Sequence, residues 1–190
     1  MRKMRLTALL AVLLLLLGCG AGDSKLDVRA GGKTLPFSLK SSGIYNAVKT
    51  FTETKDGQTN VAKASSIYIV LGNYDIDTSS GMISMEKPVT AADQVRISIQ
   101  LIGQEGTDDK TGLKTGTYPA KADKFGKIDY VNVAYFADGK ESKNIFDIAK
   151  AAGEVRITSV SAEAVSGEID LTEGDKSIKG SFTAKLPVKK

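Results

Sequence analysis

Asp75, Asp77 and Ser79 alternate along the chain, and Glu86 stands eleven residues after Asp75. These are the offsets at which a calcium-binding loop places its first, third, fifth and twelfth oxygen ligands. Hard oxygen donors at that spacing suit a divalent cation, so calcium is the one inorganic cofactor these residues point to. The loop also needs glycine at its sixth position, where Ser80 stands, with Gly81 seventh. The stronger reading is a hairpin whose Asp and Ser side chains satisfy their own turn backbone. The acidic run Glu105-Gly106-Thr107-Asp108-Asp109 reads as a solvated turn. Tyr68, Tyr74, Tyr130 and Tyr135 could line a ligand face, although aromatics in alternating strands serve more often as core or cross-strand partners.

Catalytic constellations are scarce. The chain holds no His and a single Cys, so a Ser-His-Asp or Cys-His site and the usual His- or Cys-based zinc site are closed to it. Ser84-Met85-Glu86-Lys87 has Ser-x-x-Lys spacing, and Lys110-Thr111-Gly112 and Lys114-Thr115-Gly116 read Lys-Thr-Gly, as in penicillin-interacting enzymes. That chemistry needs the Ser and Lys one turn apart at a helix start, and a Ser-Asp-Asn element that this chain lacks. The expectation is a protein that is not an enzyme.

The lone cysteine has a different context. Arg2, Lys3 and Arg5 precede an uncharged run from Leu6 to Leu17, which is the layout of an export signal. Twelve helical residues rise about 18 Å, too little for a hydrocarbon core of about 30 Å. The run closes on Leu16-Leu17-Gly18-Cys19, which resembles the lipobox of bacterial lipoproteins. The resemblance implies cleavage between Gly18 and Cys19, a lipid on the Cys19 thiol, and attachment to a membrane through two or more acyl chains, enough for stable anchoring. Ordinary secretion, with the small residues around Gly18 as the cleavage site, is the alternative. By the same resemblance, Gly20 after the cysteine favours the outer membrane in a cell that has one.

Residues 1–18 are therefore expected to be the signal, 19–25 a lipidated tether, and 26–190 a single β-rich domain. Three of the 26 basic residues and none of the 22 acidic ones fall in the signal, which leaves a net charge of plus one. With Lys and Glu scattered singly, nucleic acid has no clustered basic face to bind. No second cysteine is present for a disulfide, so an exported domain must rest on its core.

Alternation dominates that domain. Val95, Ile97, Ile99 and Leu101 share one side of a strand, with Arg96, Ser98 and Gln100 on the other, the period-2 pattern of a half-buried sheet. Residues 178–186 repeat it. Further strands are expected over 26–30, 43–54, 65–75, 127–136, 154–161 and 165–172, and weaker ones near 34–39, 82–85 and 115–120. Lys55-Asp56-Gly57, Ser80-Gly81, Ala137-Asp138-Gly139 and Glu173-Gly174-Asp175 supply turn chemistry. Ile145, Ile148, Ala149 and Ala152 recur at helical spacing, between Ser142 as a cap and Gly153 as a stop, and predict one short helix near 143–152. The fold class expected is all-β: an antiparallel sandwich or flattened barrel of eight to ten strands.

Leu113 to Tyr118, Gly153 to Thr158, Val165-Ser166-Gly167-Glu168-Ile169 and Ile178 to Leu186 together resemble a strand pattern of uncharacterised all-β envelope lipoproteins. The resemblance implies architecture and no activity. The functional expectation is a membrane-anchored envelope lipoprotein that binds or scaffolds an unidentified envelope protein or small ligand. The alternative is a calycin-like carrier of a small hydrophobic molecule, and behind it stand a calcium module or a hydrolase.

Overall fold

Eleven strands and one helical turn organise residues 24–185, the part of the chain that the structure, a computed structural model, describes. In chain order they are β1 (Lys25–Ala30), β2 (Lys33–Leu35), β3 (Ser41–Lys55), β4 (Gln58–Gly72), α1 (Met82–Met85), β5 (Val95–Glu105), β6 (Gly116–Pro119), β7 (Lys127–Ala137), β8 (Lys140–Ile145), β9 (Ala152–Val160), β10 (Ala164–Glu173) and β11 (Lys176–Lys185). The strands form a six-stranded sheet, ordered β2-β1-β11-β10-β9-β6, and a five-stranded sheet, ordered β3-β4-β5-β7-β8. Every pairing is antiparallel. The all-β, antiparallel architecture expected from the alternation is the one that forms, and of the sandwich and the flattened barrel it takes two sheets.

Turn chemistry sets the registers. Lys55 faces Gln58 and Ala137 faces Lys140, leaving the two-residue turns Asp56-Gly57 and Asp138-Gly139. Asp56 and Asp138 both have φ +52° and their glycines +75° and +77°, the positive pair of a type I′ turn, whose twist matches that of the strands it joins. Between the sheets, one apolar core takes Val28, Ile178, Leu171, Ile169, Val155 and Phe182 from the first sheet and Ile69, Leu71, Ile97, Ile99, Leu101 and Val133 from the second. Each aliphatic side chain so buried contributes about 1.5–3 kcal/mol.

The five-stranded sheet curls. Lys49 on β3 bonds Asp129 on β7 at 2.6 Å, although β4 and β5 lie between their strands. In a flat sheet the three spacings would add to about 14 Å, more than an extended lysine and an aspartate span. Phe51 and Phe125 meet edge to face at 5.1 Å between centroids, and Glu53 pairs with Lys124, closing the same gap. Bulges between Ala64 and Ser66 on β4 and opposite Gln100 and Leu101 on β5 add the local bend. The sheet is thus a half-barrel whose concave face points away from the shared core.

Three expectations need correction. No helix forms near 143–152: residues 140–145 are β8, zipped onto β7 by the Asp-Gly turn, and Phe146 N–H continues the ladder to the Val131 carbonyl at 2.9 Å. Only one turn follows, where Lys150 and Ala151 N–H both reach the Asp147 carbonyl at 2.9 Å. Tertiary pairing overrides a helical spacing too short to sustain itself. The strand expected near 82–85 is instead α1, the helical turn that Gly81 opens with φ +63°. Lastly, β5 is buried on both faces, not one: Arg96 and Ser98 are fully buried and Gln100 is 8% exposed.

Candidate functional site

The covering of β5 comes from residues 73–94, which cross the concave face between β4 and β5. They lie where the sheet offers a notch, since the Met85 sulfur occupies the space a Cβ on Gly43 would need. Beneath them, registered rows run across the strands. Gly72, Arg96, Ala134 and Lys143 form one row, and Gly43, Val70, Ser98, Asn132 and Ile145 the next. A third holds Tyr45, Tyr68, Gln100 and Tyr130.

Arg96 is the hub of the covered rows. Its guanidinium reaches the Glu86 carboxylate at 3.0 Å and Glu141 at 3.3 Å, and it donates to the Lys87 carbonyl. Ser98 Oγ donates to the other Glu86 oxygen, and Val89 N–H donates to Glu141 at 3.2 Å. Three groups of the covering segment, on Glu86, Lys87 and Val89, are therefore fastened to one sheet face. Pairing with two carboxylates is what makes a fully buried arginine tolerable, because an isolated buried charge is costly.

Asn132, 1% exposed, is the exception in this cluster. Neither its side-chain nitrogen nor its side-chain oxygen has a partner among the described residues, and the same is true of Arg96 Nε. A buried amide without partners costs about 1–3 kcal/mol per group. Such atoms are uncommon enough in folded proteins to call for a cause.

The tyrosine row is less covered. Tyr45 is 40% exposed and Tyr68 and Tyr130 are half-buried, while Gln100 between them donates its Nε2 to Ser66 Oγ at 2.7 Å. This row lies between the covering segment on one side and the Lys49–Asp129 and Phe51–Phe125 contacts on the other. Burial, then the charges of Asp129 and Glu86, hold the Tyr68 phenol above its usual value. Burial, then Glu86, also raises Tyr130, against an opposing effect of Arg96.

The residues singled out as calcium ligands do not converge. Asp75 pairs with Lys40 at 2.8 Å. Asp77 takes the Lys87 ammonium at 2.6 Å and the Ser79 N–H at 2.9 Å, which together hold its carboxyl far below the usual range. Glu86 belongs to Arg96 and Ser98. Among the described residues, no three His, Cys, Asp or Glu side chains gather as a metal would require. Ser79 thus serves the Asx-type turn that its type and position suggest.

The serine and lysine fragments also part company. Ser84 Oγ accepts from Ser80 N–H at 3.0 Å and donates to the Gly81 carbonyl at 3.1 Å, within its own helical turn. Both Lys-Thr-Gly tripeptides lie beside Ser65 and Gly103, around a recess of about 120 Å³. Met85 packs on Gly43 opposite Val70, and five residues of strand, about 17 Å, separate Val70 from Ser65. Tyr135 is in the core and Tyr74 offers its carbonyl to Ser41 Oγ at 2.6 Å. Gly18 and Cys19, with the rest of the expected signal, lie outside the described residues.

A second concavity sits at one end of the sandwich, where Leu35, Phe37, Ala92, Val95, Tyr135 and Phe136 line a groove of about 680 Å³. Sequence reasoning missed the Arg96 cluster because alternation assigns Arg96, Ser98 and Gln100 to solvent. The only available signal was an arginine inside the most apolar strand of the chain. No family model matches this chain, and neither a curated protein nor a solved structure does so.

Proposed function

We propose that this chain is a lipid-anchored protein of the cell envelope that acts by binding, without catalysis. In this reading Cys19 carries the lipid, residues 1–18 are removed on export, and the outer membrane is the destination in a cell that has one. The observation that carries a binding role is the partnerless buried amide of Asn132 beside a row of partly exposed tyrosines on the concave face. A domain built only to space or scaffold has no use for an uncompensated polar group in its interior, since an apolar side chain there would hold the fold better.

Anchoring is tested by feeding cells labelled palmitate and measuring the intact mass of the purified protein. The expected result is acylation of the parent and none of Cys19→Ala; an unacylated parent removes the anchor from the reading. Binding is tested by following the melting temperature of the purified protein in pooled small-molecule extracts of the envelope. A rise that Tyr45→Ala abolishes is expected, and no rise with any fraction counts against the binding role.

The end groove favours a second reading, a carrier of a small hydrophobic molecule, because most of its lining is apolar. Native mass spectrometry separates the two: a carrier retains a hydrophobe that an Ala92→Arg substitution excludes.

A further inference from the structure

We propose that the end of the six-stranded sheet where β1 begins and β11 finishes rests on the anionic phospholipid headgroups of the anchoring bilayer. This rests on the lipid-anchored reading above and adds how the body stands on its membrane. The first argument is where the chain enters and leaves the fold. Ser24 Oγ accepts from Thr183 N–H at 2.9 Å, and Ser42 Oγ donates to the Lys185 carbonyl at 2.9 Å. The two ends of the described chain are thus fixed side by side. From Cys19 to Ser24 an extended backbone covers at most about 18 Å. A lipid on Cys19 therefore keeps Ser24 and its neighbour Thr183 within about that distance of the bilayer surface.

The second argument is charge. The registers gather residues 24–25, 159–166 and 181–185 at this end. They hold Lys25, Lys185 and a single acid, Glu163, while Asp23 precedes them and Lys189 and Lys190 follow. Lys25 and Lys185 are exposed, and among the described residues neither forms an ion pair. From Lys185 the chain reaches Lys190 over at most about 18 Å, a length comparable to the tether. At the other end of β10 and β11, about 30 Å away, the turn carries Glu173 and Asp175, and Lys176 is taken up by Glu173. The sheet is thus basic toward the tether and acidic away from it, the polarity that a negative membrane surface aligns.

The third is the company these lysines keep. Val160 is 41% exposed where β9 ends, and Leu186 and Val188 stand among the last lysines. Apolar side chains beside lysines suit the headgroup layer, where methylene stems lie toward the acyl chains and ammonium groups meet phosphate. Acyl chains alone hold the protein at the bilayer and leave the body free to turn on its tether. Contact of this end with headgroups fixes which way the body faces.

The test uses the whole acylated protein, its acylation verified by intact mass, in vesicles of phosphatidylcholine alone or mixed with phosphatidylglycerol. With Cys19 acylated, an introduced thiol is the only one to label. A fluorescent donor is placed on Ala162→Cys, just past this end of β9, or on Ala152→Cys at the other end, both exposed positions, and the acceptor is carried on lipid headgroups. Energy transfer from position 162 should exceed that from 152 and should rise when phosphatidylglycerol is added. Lys185→Glu, Lys189→Glu and Lys190→Glu together should abolish that rise, as should salt at about 1 M, where the screening length is about 3 Å. Transfer equal in the two kinds of vesicle, or unchanged by the charge reversals, overturns the headgroup contact and leaves the anchor standing. A rise that appears on neutral vesicles as protein density increases marks a second copy at this end and likewise overturns the lipid contact. A protein without acyl chains overturns the anchor, and this inference with it.

Discussion

Replacing Arg96 with Met tests whether the covering segment is held by charge. The substitution keeps an unbranched apolar stem in a fully buried position but deletes the contacts to Glu86, Glu141 and the Lys87 carbonyl. Glu141, 12% exposed, keeps only Lys143 at 3.3 Å and the Val89 N–H. Removing one member of a buried pair costs about 3–5 kcal/mol. Glu86 is partly solvated, which puts the expected loss near the lower end, about 3 kcal/mol. At about 2–4 °C per kcal/mol for a domain of this size, the midpoint should fall by about 6–12 °C. Urea denaturation measures the loss, and hydrogen exchange at the Val89 amide reports whether the segment has come free. The combination Arg96→Met, Glu86→Gln and Glu141→Gln should recover most of the stability, because no stranded charge remains. A single variant within about 1 kcal/mol of the parent, the range of a solvated pair, refutes the reasoning. So does a combined variant as weak as the single one.

Three further outcomes are expected. Because burial and Glu86 raise the Tyr68 and Tyr130 phenols, the folded state keeps their protons longer than the unfolded one. The resulting stability is complete below the ordinary tyrosine value of about 10 and is lost as pH rises through the folded values. Phenolate absorbance should show three late-titrating tyrosines, since burial raises Tyr118 as well, and Glu86→Gln should bring Tyr68 and Tyr130 earlier; unchanged curves would remove Glu86 from the tyrosine row. Gly153→Ala should cost more than Gly116→Ala. Both glycines have positive φ, at +114° and +142°, a backbone cost of about 1–3 kcal/mol. Only at Gly153 would the new Cβ lie 1.8 Å from a backbone oxygen, that of Asp170, which adds about 1–3 kcal/mol of overpacking. Equal denaturation midpoints for the two would contradict this. Millimolar calcium should leave the melting temperature unchanged, since Asp75 and Asp77 already hold lysines; a rise that Asp75→Ala abolishes would restore the calcium loop.

Most of the sheet was legible along the chain. Period-2 runs such as Val95 to Leu101 and Ile178 to Lys185 are strands because alternate side chains point to opposite faces. The Asp-Gly pairs are hairpin turns because those residues tolerate positive φ. Such facts are local and need no knowledge of distant residues. The lipobox-like run Leu16-Leu17-Gly18-Cys19, on which the proposed anchor rests, is local in the same sense, being four adjacent residues.

What the tertiary structure alone decided is which faces meet. Residues 143–152 carry a helical spacing, yet β7 offers them a ladder of backbone partners once the Asp138-Gly139 turn brings them alongside. The polar side of β5 looks destined for water, and period cannot reveal that residues 73–94 return across it. Nor could the offsets of Asp75, Asp77 and Glu86 show that Lys40, Lys87 and Arg96 would claim each carboxylate first. The concave face exists because a curled sheet brings β3 within side-chain reach of β7. That curl comes from bulges and from contacts between residues up to 80 positions apart, a distance over which sequence pattern carries no information.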